Sequence, residues 1–315
     1  MKIFFINSKQ KSCGVYQYGI RLMDALKLSN NQVKYHEVQN FEEFTNLDFS
    51  DVDLIVFNFI GCGGSGPFGW YRHDAINYVK NMLKIQTATI NHTADNFAHF
   101  DYHICQDPTN LFIPSLPRPL HNLVNYNPNN EIITVGSFGF AGNHKGFEDV
   151  VRMVNDQFDE AVINLLITSA YYGDAANQTR DQIINNVKQI QLKPGIQLNV
   201  EKDFVDDAGV SKFAVKNDIL IFPYKPLPDP TYDPCAISSI ADYAISWNIP
   251  FGVTNLPAFR HLYKEGIDVN KRSIKDIIAY HQETKYVQSL NIEWSQKNLA
   301  TKFDLIVKQN KSKVL

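Results

Sequence analysis

The chain has 315 residues, 44% of them hydrophobic and 20% charged, which is globular in balance and long enough for two cores of ordinary size. A net charge of −3 leaves no global basic field of the kind that grips a nucleic-acid backbone, and no run of about 18 apolar residues is present. The opening MKIFFINSKQ has no signal-peptide cleavage pattern, so a soluble, cytoplasmic protein without a transmembrane segment is expected.

Short β-branched or aromatic runs alternate with segments of helical period, the pattern of a parallel sheet wrapped by helices. KIFFIN (2–7) reads as the first strand. After Gly14 a helix follows, with Tyr18, Leu22 and Ala25/Leu26 on its inner face. NQVKYHEV, VDLIVFNF and IQTATINH read as further strands, with a helix from about Trp70 to Leu83 before the last of these, and DYHICQ closes the set. Residues 113–130, IPSLPRPLHNLVNYNPNN, hold four prolines and no sustained period, and read as a linker. The alternation then restarts with EIITVG, AVINLLIT, GIQLNV, DILIFPY and PFGVTN as strands. The expectation is α/β: two Rossmann-like, doubly wound parallel-sheet domains, at 1–125 and 131–290. A final helix at about 293–310, with Trp294, Leu299, Phe303 and Ile306 roughly on one face, would pack back on the first domain.

The stretch EIITVGSFGFAGNHKGFEDVVRMV (131–154) passes from strand to helix through glycines. Gly136, Gly139, Gly142 and Gly146 permit close backbone approach, and a helix beginning near Lys145, with Phe147, Val150, Val151, Val154 and Phe158 inward, offers unpaired N–H groups. Lys145 adds a point charge, so the turn suits a phosphate or diphosphate. The spacing is neither GxxxxGK[ST] nor GxGxxG, and a plain strand-to-helix turn with an exposed lysine is the competing reading. In DILIFPYKPLPDPTYDPCAISSIADYAISWNIPFGVTN a helix is expected from Ser238 and Ser239. Ser239 with Asp242 fits a capping box, while Ser238 and the nearby backbone N–H groups suit an anion.

This layout resembles the GT-B glycosyltransferases, most closely the retaining group 1, or family 4, type that uses nucleotide-sugar donors. The likeness rests on NSKQKSCGVYQYGIRLMDAL after the first strand, VGSFGFAGNHKGFEDVV opening the second domain, SWNIPFGVTN with Asn248 in place of a Gly, and NLPAFRHL after the next strand. It spans nearly the whole chain, and it implies two domains facing across a cleft. It further implies that Lys145, with Gly136, Gly139 and the backbone around Ser238 and Ser239, contacts the donor diphosphate, and that Gly14 lets the first loop approach the same phosphates. His92 matches the position where that family carries a histidine near the reacting sugar, so the resemblance implies His92 and Lys145 as catalytic residues; a hydrogen-bonded histidine at a strand end is the alternative reading of His92. The implied activity is hexosyl transfer from a UDP- or GDP-sugar to a carbohydrate or other small acceptor, with no cofactor and no metal required. A Glu pair spaced by seven residues is degenerate, since Cys235 and Tyr243 stand at the matching positions. Asp229, Asp233 or Asp242 would substitute. The degenerate pair motivates one alternative, a non-catalytic nucleotide- or glycan-binding protein of the same fold; a glycosyltransferase acting on modified bases of viral DNA is another.

The loop GCGGSGPFGWYRHD (61–74) reads as an acceptor-side element, with Gly63 and Gly64 giving backbone freedom and Trp70 and Tyr71 able to stack on a sugar or base; a plain flexible loop is its alternative. Asp51-Val52-Asp53 has the DxD form of a metal site but precedes its strand, and His99 and His103 lack a third ligand, so no metal is expected. Cys13, Cys62, Cys105 and Cys235 have no CxxC spacing and imply neither a disulfide framework nor zinc.

Overall fold

The structure, a computed structural model, describes residues 1–9, 14–59, 74–92, 100–121, 130–169, 177–203, 205–226 and 237–311. In chain order the regular elements are β1 (Lys2–Ser8), α1 (Gly14–Leu26), β2 (Gln32–Val38), α2 (Phe41–Thr45), β3 (Leu54–Phe59), β4 (Gln86–Asn91) and β5 (Tyr102–Cys105). There follow β6 (Thr134–Phe140), α3 (Phe147–Gln157), β7 (Glu160–Thr168), α4 (Gln178–Lys188), β8 (Gly195–Glu201), α5 (Asp207–Ala214) and β9 (Ile219–Phe222). The chain continues through α6 (Asp242–Ser246), β10 (Phe251–Val253), α7 (Ile274–Thr284), α8 (Tyr286–Glu293) and α9 (Gln296–Lys311). It divides into two compact units, one of Met1–Pro119, Asp233–Ile237 and Glu293–Leu315, the other of Leu120–Tyr232 and Ser238–Ile292.

The first unit holds a five-stranded sheet in the order β2-β1-β3-β4-β5, every pair parallel. Alternation along β1 sends Ile3 and Phe5 to one face and Phe4 and Ile6 to the other. Ile3 and Phe5 join Leu54 and Val56, the α1 residues Tyr18, Leu22, Ala25 and Leu26, and Leu299, Phe303, Ile306 and Val307 of α9 in one buried cluster. Phe4 and Ile6 join Phe44, Ile55, Phe57, Ile76 and Val79 in a second. Asp304 fastens α9 further, accepting hydrogen bonds from Ser29 Oγ, from the Asn30 backbone and amide, and from Asn31 Nδ2.

The second unit holds another five-stranded parallel sheet, in the order β10-β9-β6-β7-β8. The periodicity of residues 147–158 is realised directly, with Phe147, Val150, Val151 and Val154 of α3 buried, and Phe158 buried at its C-cap.

Three expected elements differ in detail. The described part of the 70–83 helix mixes α- and π-helical turns, with Tyr78–Leu83 π-helical and stopped by Lys84 at φ +54°. The helix expected from Ser238 starts at Asp242, because the Asp242 N–H is taken by the Ser239 carbonyl and no side chain caps the helix; the capping box does not form. The helix expected at about 293–310 is α9, which starts at Gln296 after a break at Trp294 and Ser295 that separates it from α8, with the Trp294 side chain buried. Among the described residues no helix is long and apolar enough to cross a membrane.

Candidate functional site

In open parallel sheets, ligands bind beyond the carboxyl ends of the strands where strand order reverses. In the second sheet that point lies between β6 and β9, because the chain runs β6, β7, β8 outward and then returns to place β9 on the other side of β6. The glycine-rich turn leaves from the end of β6. Gly139 adopts φ +147° there, and a side chain at this position would meet Ile240, just after Ser238 and Ser239, at 3.4 Å. Asn143–Lys145 form one 3₁₀ turn, and Gly146 at φ +71° then starts α3. A Cβ on Gly146 would sit 2.2 Å from the Pro223 carbonyl oxygen, so the absence of a side chain brings this turn down onto the segment leaving β9.

That segment supplies Tyr224. Its hydroxyl accepts a hydrogen bond from Lys145 Nζ at 2.8 Å, and the ammonium lies 4.0 Å from the ring centroid. The ring is wedged by Phe259 at 4.8 Å and by the His144 edge at 5.9 Å, while the Tyr224 carbonyl accepts from Thr254 Oγ1 at 3.0 Å. Burial, and then the charge of Lys145, push the His144 imidazole down to about 4. Lys145 is therefore a half-buried cation held by an aromatic wall, at the N-terminus of an eleven-residue helix that no side chain caps. Such an arrangement suits an anion.

Other expected donor contacts are placed differently. Gly136 lies in the amino-terminal half of β6, where a Cβ would come within 2.5 Å of the buried Asn217 side chain. Its missing side chain serves packing at the end of the sheet away from the turn, which corrects the ligand-facing reading. The Ser238 N–H is used by the Ala258 carbonyl at 2.8 Å, and Ser238 Oγ accepts from the Ile240 N–H at 3.4 Å. Asp242 is fully buried, which removes it as a donor-facing carboxylate. Tyr243 donates to Asp207 Oδ1 at 2.6 Å and stacks on His121 at 3.9 Å. Gly14 is the exposed first residue of α1 with open space beside it. Gly63, Gly64, Trp70, Tyr71, Asp229, Asp233 and Cys235 lie outside the described residues.

In the first sheet the order reverses between β1 and β3, and the same end carries a polar network. Asn7 of β1 and Asn58 of β3 are fully buried cross-strand neighbours, with Asn58 Nδ2 donating to Asn7 Oδ1 at 2.9 Å and to the Val15 carbonyl at 2.9 Å. Asn7 Nδ2 donates to the Tyr16 carbonyl at 3.1 Å and to the Tyr35 hydroxyl at 2.9 Å. Tyr35 and Tyr16 both donate to Glu37 Oε1. α1 closes over this pair because residue 19 is glycine: a Cβ there would lie 2.4 Å from Asn7 Nδ2. His92, one residue past β4, places Nε2 2.7 Å from Asn58 Oδ1 and hydrogen-bonds Gln106 through Nδ1; Gln106 in turn accepts from Arg118. Burial, then the Arg118 charge, hold the His92 imidazole well below its ordinary value.

Asp53 of the DxD stretch accepts from the Lys2 N–H at 2.8 Å at the amino end of this sheet, the wrong end for a substrate metal. Among the described residues no three His, Cys, Asp or Glu side chains gather as a metal would need.

No family model and no curated protein matches the chain. Solved structures do. The chain is similar to HepE (Alr3699) of Anabaena in complex with UDP, at 10% identity over 99% of this chain and 100% of that one, with a TM-score of 0.60. It is similar to AviGT4, a glycosyltransferase involved in avilamycin A biosynthesis, at 12% identity, 99% and 97% coverage and a TM-score of 0.60. An α-glucosyltransferase in complex with UDP-glucose and DNA containing an abasic site matches at 10% identity, 98% and 95% coverage and a TM-score of 0.54. The chain thus has the α/β fold, built on two parallel sheets, of the GT-B glycosyltransferases.

Tyr224, Asn7, Asn58, Gln106 and Arg118 were not singled out in the sequence. Asn7 and Asn58 carried a readable mark, a lone amide near the end of an otherwise apolar strand in KIFFIN and LIVFNF.

Proposed function

We propose that the protein is a glycosyltransferase that takes a sugar from a nucleoside diphosphate donor, UDP- or GDP-linked, and passes it to a carbohydrate or other small acceptor. The observation that carries this reading is Lys145, pinned by Tyr224 at the strand-order reversal of the second sheet beside the α3 N-terminus. There the ammonium and the first N–H groups of α3 would offset the charge that builds on the diphosphate as the glycosidic bond breaks, the electrostatic contribution that dominates many such reactions. Gly139 gives the backbone room to approach the phosphates. UDP and UDP-glucose in the HepE complexes support a uridine donor.

On the same reading the donor needs no metal, the stereochemical outcome is retention, Gly63, Gly64, Trp70 and Tyr71 meet the acceptor, His92 lies near the reacting sugar, and Gly14 lets the first loop approach the donor phosphates. A cytoplasmic location goes with it.

Calorimetric titration of the wild type and Lys145→Ala with UDP, GDP and ADP, followed by hydrolysis assays with the matching nucleotide sugars, tests the proposal. One nucleotide should bind and weaken at least tenfold in the variant, about 1.4 kcal/mol. No binding by any of the three would defeat the reading. Binding without transfer or hydrolysis would leave a nucleotide-binding protein of the same fold, and salt-sensitive DNA binding would move the acceptor to DNA.

A further inference from the structure

The polar network of the first unit fixes more than a set of contacts, because each amide in it has its orientation decided by a group that can act in only one sense. Arg118 can only donate, so the Gln106 atom facing it is Oε1; the Gln106 amide nitrogen, which also donates to the Asn91 carbonyl at 3.4 Å, therefore faces His92 Nδ1. The Val15 carbonyl can only accept, so Asn58 directs Nδ2 toward it and turns Oδ1 toward His92 Nε2. The Tyr16 carbonyl orients Asn7 in the same way. With both neighbours fixed, the imidazole has one protonation state that satisfies every bond: a bare Nδ1 accepting from Gln106 and a protonated Nε2 donating to Asn58. The donors then run one way, from the Arg118 guanidinium through Gln106, His92, Asn58, Asn7 and Tyr35 to the Glu37 carboxylate. Reversing any link would set two donors or two acceptors face to face.

We infer that Gln106, itself oriented by Arg118, is a positioning residue that locks His92 as the neutral Nε2–H tautomer, so that His92 acts as a fixed hydrogen-bond donor joining the ends of β3 and β4 and exchanges no proton with substrate. Tyr18 of α1 meets the His92 ring edge-on at 5.0 Å, and the charge acting on the imidazole is that of Arg118, whose guanidinium lies 5.5 Å from the Tyr18 ring. Neither is a carboxylate that would draw a second proton onto the ring. The consequence for chemistry is that any sugar transfer at this centre runs without His92 as general acid or base.

Long-range ¹H–¹⁵N correlation of the histidine side chains in the full chain, with His92 assigned by comparison with His92→Gln, reads the tautomer directly and requires no substrate. The wild type should show His92 as Nε2–H with no titration between about pH 5.5 and 8, across the ordinary histidine range. An Nδ1–H tautomer, or a titration midpoint inside that window, overturns the inference. Gln106→Glu replaces the donor with a carboxylate that can only accept, so His92 should take a second proton and titrate with a midpoint above about 6.5; a ring that stays neutral in a folded Gln106→Glu protein also overturns it. A second arm rests on the sugar-transfer reading: the rate–pH profile should be free of a His92 limb in the wild type and gain one in Gln106→Glu. If no nucleotide sugar is turned over, that reading fails while the spectroscopic arm still decides this one.

Discussion

Replacing Gly146 by alanine attacks the turn that carries Lys145 at its tightest point. The backbone there has φ +71°, where an L-residue costs about 1 to 2 kcal/mol relative to glycine. The new Cβ would also lie 2.2 Å from the Pro223 carbonyl oxygen, a backbone atom that cannot swing aside as a side-chain tip would. Relieving such an overlap in a packed site costs about 1 to 3 kcal/mol. The expected destabilisation is therefore about 2 to 5 kcal/mol, confined to the second unit. Urea unfolding followed through Trp247, buried in that unit, measures it, with far-ultraviolet circular dichroism as the global readout. Gly14→Ala is the control, because nothing lies within 4 Å of its Cβ and the residue is helical, so it should be neutral or stabilised by up to about 1 kcal/mol. A loss below about 1 kcal/mol in Gly146→Ala would refute the argument that this glycine sets the distance between the β6 turn and the segment after β9.

Gly19→Ala should cost about 1 to 3 kcal/mol and disturb the His92 side-chain signals, since the added methyl meets both Asn7 and Asn58; unchanged His92 resonances would count against the closure of α1 over that pair. Tyr224→Phe, which keeps the ring but removes the acceptor of the Lys145 bond, should weaken nucleotide binding less than Lys145→Ala does in paired titrations. Burial pushes the His281 imidazole down to about 4, only partly offset by its bond to Phe251. The unfolded chain then binds the extra proton first, so stability falls as pH drops from about 6.5 toward 4, by at most about 1.4 kcal/mol per pH unit; His281→Gln should flatten that slope in urea titrations. Burial alone would raise the Asp304 carboxyl, but the bonds from Ser29, Asn30 and Asn31 together hold it below its ordinary value. Its contribution is complete above about pH 4 and lost as pH falls through the folded value, so the stability gap between wild type and Asp304→Asn should close in acid.

The inner strands were legible because both sheets are parallel and their middle strands are covered, which makes β1, β3 and β9 short, nearly unbroken apolar runs, whereas the edge strands β2 and β8 mix exposed polar residues with apolar ones. The inner face of α3 was legible for a related reason, since Phe147, Val150, Val151 and Val154 keep the helical period without interruption. Strand order was not legible, because local pattern carries no information about which parallel neighbour a strand takes. Ser239 and Asp242 show the limit of a local motif: their spacing fits a capping box, yet the Ser239 carbonyl takes the Asp242 N–H and the helix starts later. Gly136 shows another, because a glycine in a phosphate-like turn and a glycine under a buried Asn217 look alike until the neighbouring strand is in place. Lys145 was visible as a charge in a turn, whereas Tyr224 lies 79 residues away and gains its meaning only when β9 settles beside β6.

The placement of α9 also bears on how the chain emerges from a ribosome. Leu299, Phe303, Ile306 and Val307 cover Ile3, Phe5 and Leu22, so the first unit to be synthesised lacks one wall of its core until the whole second unit has been made. Nascent chains halted before residue 296 should hold a second unit that resists protease while the first is still cleaved. The usual order of N-terminal domain first would thereby be inverted, because the wall that α9 supplies to the first unit follows the whole second unit in the chain.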